Sequence, residues 1–136
     1  MPMERRDILF ETARFNCSEV KGHFINDCCF GEDLAAWLRS RLNACGLEAG
    51  EPYQEDWGWE FPIKDASGSY YIGVGGNALE DISDKNRGEW RLMISKRRSL
   101  WDRLAGKNKM AASEPIVSAI LAILSGEPDF SNFTQE

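Results

Sequence analysis

Two runs of alternating side chains, separated by four turn residues, constrain this chain more than anything else in it. Trp57, Trp59, Phe61 and Ile63 alternate with Gly58, Glu60, Pro62 and Lys64. A period of two with one apolar side predicts a half-buried strand that turns all four of those apolar side chains inward. Asp65-Ala66-Ser67-Gly68 has turn composition. Ser69–Gly76 then resumes as a second strand, with Tyr70, Ile72 and Val74 on one face. A four-residue turn sets Lys64 opposite Ser69. Ile63 then meets Tyr70, Phe61 meets Ile72, and Trp59 meets Val74. All three pairs are apolar and share one side of the sheet. A slip of one residue would put glycine and tyrosine there instead, so side-chain burial and turn length specify the same register. Pro62 lacks an N–H, which favours an edge or an outward-facing backbone at that point.

Around this hairpin the other elements follow from periodicity. Ile8–Phe15 reads as a strand. In Glu32–Cys45, Leu34, Trp37, Leu38, Leu42 and Cys45 recur at steps of three and four, the stripe of an amphipathic helix. Glu32 and Asp33 suit its first turn, and Gly46-Leu47 suits a left-handed stop. Gly50–Asp56 reads as a polar connection. Glu89–Lys96 alternates again, with Trp90, Leu92 and Ile94 inward. Ser99–Gly106 fits a short helix or an irregular return. In Ser113–Ser125, Ser113 can cap a helix, Pro115 suits its first turn, and Ile116, Val117, Ile120, Leu121, Ile123 and Leu124 form a broad apolar face. The expectation is one α+β domain over 1–136. It has an antiparallel sheet of about four strands in β-α-β-β-β-α order, two helices packed on one face, and a short polar tail over 127–136.

Charge is what distinguishes this chain among such domains. The formal net charge is −6, which disfavours a nucleic-acid partner, since phosphate binding needs a basic surface. Residues 48–84 carry one basic and nine acidic groups, net −8. Residues 85–109 carry nine basic and two acidic groups, net +7. Either the two blocks neutralise each other across the sheet, or one stays exposed as a docking surface. Tyr53, Glu55, Asp56 and Glu60 would be the centre of an acidic, aromatic surface suited to a basic protein, because complementary charge steers association and aromatics anchor it. No apolar run is long enough to span a bilayer, so a membrane partner is not expected. The first residues read as no secretory leader, which predicts a cytoplasmic protein.

Candidate chemistry is sparse. Cys17, Cys28, Cys29 and Cys45 show no CxxC spacing, and His23 is the sole histidine. They read as small buried hydrophobes rather than a metal site or a nucleophilic pair. Glu55, Asp56 and Glu60 lack a second carboxylate cluster to share acid–base work. Gly73-Val74-Gly75-Gly76 follows a strand but fails the dinucleotide pattern at Ala78, and there is no Walker lysine. In the hairpin register Gly73 lies opposite Glu60, a shallow floor on the outer face. No catalytic residue, metal or cofactor is assigned. A small-ligand binder or enzyme using Glu60, Arg91 and that floor is an alternative. RNA binding through the basic 96–109 stretch is a third reading.

The strings Cys29-Phe30-Gly31-Glu32-Asp33-Leu34-Ala35-Ala36-Trp37-Leu38 and Glu55-Asp56-Trp57-Gly58-Trp59 resemble a group of small bacterial α+β proteins, some of them similar to immunity proteins of polymorphic toxin systems. The resemblance covers roughly residues 28–95 and transfers no functional residue. It implies a small cytosolic neutraliser of a partner protein. Immunity proteins are commonly acidic because many of their targets are basic nucleases. The resulting expectation is a protein-binding module, immunity-type in its sharpest form, with a basic toxin as its partner.

Overall fold

The computed structural model describes residues 5–15, 30–66, 68–78, 88–107 and 114–136. Cys17, His23, Cys28, Cys29, Ser113, and the acidic and basic residues of 79–87 lie outside the described residues. Among those described, seven strands form one antiparallel sheet. They are β1 (Arg5–Thr12), β2 (Glu48–Ala49), β3 (Tyr53–Glu55), β4 (Gly58–Asp65), β5 (Gly68–Ala78), β6 (Gly88–Lys96) and β7 (Ser131–Gln135). Three helices accompany them: α1 (Glu32–Ala44), α2 (Leu100–Ala105) and α3 (Pro115–Ser125). The strand order is β2-β4-β5-β6-β1-β7, and β3 also pairs with β4.

The central hairpin has the expected register. Ile63 pairs with Tyr70, Phe61 with Ile72 and Trp59 with Val74, and all six are buried. β6 continues the face with Trp90, Leu92 and Ile94, and β1 adds Ile8 and Phe10. Against that face α1 lays Leu34, Ala35, Leu38 and Leu42, and α3 lays Ile116, Val117, Ile120 and Leu124. Each large side chain withdrawn from water in this cluster contributes about 1.5–3 kcal/mol. Gly46 takes φ 88 and Leu47 packs back on the core, the predicted stop for α1. Cys45 falls just past the helix and is exposed, so it leaves the predicted stripe.

The expectation of about four strands and two helices is overturned. Gly50–Asp56, read as a connection, holds β3, and β2 precedes it. Both lie along the same side of β4: β2 opposite Ile63 and Lys64, β3 opposite Gly58, Trp59 and Glu60. Strands of two and three residues carry too few side chains to show a period. Within Ser99–Gly106, read as a short helix or an irregular return, Leu100–Ala105 forms a helix capped by Ser99 and Gly106. The polar tail is β7, and its extended backbone pairs with β1 despite exposed side chains. Asp7 and Glu136 exchange backbone hydrogen bonds of 3.0 and 2.9 Å, which satisfies polar main-chain groups that an unpaired tail would leave to water.

Aromatic and ionic contacts fix this last segment. Phe130 is buried and stacks on Phe10 at 4.9 Å. The Arg14 guanidinium sits 4.7 Å above the Phe130 ring, donates to Glu127 at 3.2 Å, and pairs with Asp129. The bond from Arg14 holds the Asp129 carboxyl below its ordinary value. Glu114, not Ser113, stands at the start of α3. Its buried carboxylate accepts from the Tyr70 hydroxyl at 2.7 Å and from Lys96 at 3.2 Å.

Candidate docking site on the outer sheet face

The strand faces opposite α1 and α3 hold a different set of residues. Strand parity places Glu60 of β4, Tyr71 and Gly73 of β5, Met93 and Ser95 of β6, and Arg5 and Asp7 of β1 there. Pairing of Tyr53 with Glu60, and of Glu55 with Gly58, brings the β3 side chains beside them.

Trp57 is the main departure from the expected site. Alternation placed its ring inward with Trp59, Phe61 and Trp90. Those three are buried, but Trp57 is 47% exposed. The reason is local. β4 starts only at Gly58, and Trp57 lies in the β3–β4 turn, where strand parity is not transmitted. Gly58 carries the chain so close to β5 that a Cβ there would meet the Val74 carbonyl oxygen at 2.2 Å. The turn then folds the indole over Gly73, where a Cβ would lie 2.6 Å from Trp57 Cη2. Gly73 therefore leaves room for one half-exposed indole and Gly58 for the turn that carries it, and a side chain at either position would displace that arrangement.

Beside that ring is a hollow of about 320 Å³, lined by Arg5, Trp57, Glu60, Tyr71, Met93 and Ser95. Its rim is electrically polarised. Glu60 is half-buried next to Glu55, and burial first, then the neighbouring charge, pushes its carboxyl above the ordinary value. A hydrogen bond from Tyr53 opposes this. Burial and the adjoining carboxylates push the Tyr53 hydroxyl up to about 12. On the far rim Arg5 Nε lies 3.2 Å from Asp7 Oδ1, an ion pair without hydrogen-bond geometry. Arg91 donates to the other oxygen of this buried carboxylate and to Glu136 at 3.1 Å.

Of the four predicted site residues, Tyr53 and Glu60 are cross-strand partners, with Glu55 alongside and Asp56 exposed at the turn. The structure separates Arg91 from them and commits it to Asp7 and Glu136. Sequence reasoning missed Arg5, Tyr71, Met93 and Ser95. The register did expose Gly73 opposite Glu60, and extending the pairing to β6 would have found Met93. Glu51, also of the acidic block, pairs with Arg39 at 3.0 Å.

Among the described residues, Glu48 and Asp65 of the acidic block share the far end of β4 with Lys96 and Arg97, whereas Glu55 and Asp56 stand apart from those cations. The hairpin turn with Glu55 and Asp56 stands at the start of β4, while Lys64 stands near its end, followed in the fold by Lys96, Arg97 and α2. An eight-residue strand separates them by about 23 Å. No helix among the described residues is long and apolar enough to cross a membrane. Comparison with protein-family models, with curated proteins and with solved structures found no match.

Proposed function

We propose that this chain is a binding module that docks a basic protein through the β3–β4 hairpin, an immunity-type neutraliser in its sharpest form. The observation that carries this reading is Trp57, held half-exposed over Gly73 beside the Tyr53–Glu60 pair. A rigid aromatic with little freedom left to lose is the kind of group that anchors an interface. Carboxylates around it steer a cationic partner and reject an anionic one. The raised Glu60 carboxyl supports the same reading, since a partner lysine or arginine would relieve the crowding of Glu55 and Glu60. The cytoplasm is the proposed site of action.

The test is affinity capture from the native host at several ionic strengths, comparing the natural chain with the Glu55→Lys/Asp56→Lys variant. The expected result is loss of the captured protein in the variant and salt-sensitive capture by the natural chain. Unchanged affinity with unchanged salt dependence overturns the reading. A second reading, a small-ligand site, is favoured by the hollow between Trp57 and Glu60. It predicts that Trp57 emission responds to a small cation with no protein present.

A further inference from the structure

α2 presents an unexplained surface at the other end of the sheet. It has six residues and none is buried. Leu100, Trp101 and Leu104 are 69, 78 and 71% exposed. At spacings of one, three and four they cover one side of the helix. So short a helix does not hold itself together in water, yet here it is tied at both ends. Ser99 Oγ accepts from the Asp102 N–H at 3.0 Å, and the Asp102 carboxylate accepts from the Ser99 N–H at 3.2 Å. Gly106 closes the other end at φ 67, and Arg98 donates to the carbonyls of Asp102 and Lys107 at 3.2 and 3.1 Å. The fold thus holds in place an element that adds nothing to the core, and a contiguous exposed apolar patch of this kind marks an interaction surface.

We propose that α2 is a peripheral membrane anchor, seated in the headgroup region of an anionic bilayer. Tryptophan and leucine beside arginine and lysine is the composition that partitions to this interface. The aromatic ring and the leucines enter the acyl boundary while the cations remain with the phosphates. Arg97, Arg103 and Lys107 are exposed around the patch. Next to it lies a polar hollow of about 530 Å³ whose lining includes Lys64, Lys96, Arg97 and Ser99, with Asp65 and Asp102 also present, large enough for a lipid headgroup. The acidic hairpin does not oppose this docking. An eight-residue strand, about 23 Å, separates it from this end of the sheet, well beyond the Debye length of roughly 8 Å at physiological salt, so its charge is screened there. A protein groove that takes a helix reads anchors over two turns or more, which six residues do not supply. A nucleic acid would stack on Trp101 and leave both leucines wet. The mode is lying on a bilayer, which requires no spanning segment.

The experiment is flotation of the full chain with phosphatidylcholine vesicles, with and without phosphatidylserine, together with tryptophan emission. The expected result is salt-sensitive partition into the anionic vesicles and a blue shift that Trp101→Phe removes. Arg97→Gln/Arg103→Gln should weaken partition by about thirtyfold, and Leu100→Ser/Leu104→Ser by about a hundredfold. These residues are exposed, so the circular dichroism of each variant should match the natural chain. Absence of partition at low salt, equal partition into neutral vesicles, or full retention in the leucine variant overturns the proposal. Binding to polyglutamate in place of vesicles, or a dimer that buries Trp101, overturns it as well.

Discussion

The two ends of β4 differ in how their exposed tryptophans are held. At the hairpin end, Trp57 lies on the sheet, and two glycines, where an added Cβ would come within 2.2 and 2.6 Å of neighbouring atoms, make room for it and for its turn. At the α2 end, Trp101 stands clear of the core on a helix retained only by its caps. The first arrangement couples surface to core, and the second isolates them. The hairpin tryptophan is therefore pre-organised, with ordering entropy already lost in folding. The exposed face of α2 can change with little cost to the fold.

This contrast can be broken by stability measurements. The largest effect should come from Glu114→Ala, which leaves the Tyr70 hydroxyl and the nearly buried Lys96 without their partner. Urea unfolding should show a loss of about 3–5 kcal/mol. Gly58→Ala should cost about 2–3 kcal/mol, because its Cβ meets backbone and the turn carrying Trp57 must shift. If that variant unfolds like the natural chain, the hairpin is not coupled to the core as described. Trp101→Ser should stay within about 0.5 kcal/mol by the same measurement. A larger loss there would mean that α2 is packed against something.

Two titrations sharpen the hairpin side. Tyr53 ionises near 12, and burial and the charge and hydrogen bond of Glu60 hold it there. Glu60→Gln should bring the tyrosinate absorbance of Tyr53, identified by difference from Tyr53→Phe, back toward its ordinary value. For Glu60 itself the folded pKa is raised, so its contribution to stability is complete below the unfolded value near 4.5. It is lost as pH rises through the folded value. Glu60→Gln should therefore gain stability relative to the natural chain at neutral pH and lose that advantage on acidification. The reverse sign would remove the crowding of Glu55 and Glu60 from the description of the site.

How much of this was legible beforehand depended on whether side chains or backbone specified each part. The β4–β5 pairing was readable because six inward side chains and a four-residue turn demand the same register. β2 and β3 are too short to show a period. β7 is held by main-chain bonds to β1 and by Phe130 preceding it, and neither gives alternation. The site was half visible. Tyr53, Glu55, Asp56 and Glu60 were marked by charge and Gly73 by register. The outward turn of Trp57 depends on how closely the backbone passes at Gly58, which no pattern of polar and apolar letters records.

One consequence of the broken flank along β4 concerns what this molecule avoids. β2 and β3 cover opposite ends of that strand, and Pro62 falls in the gap between them, its carbonyl accepting from Gly50 N–H at 2.8 Å. A foreign strand arriving at this margin would find no uninterrupted row of donors and acceptors to zip against. Neighbouring copies therefore have little purchase for growing into a fibre along this border.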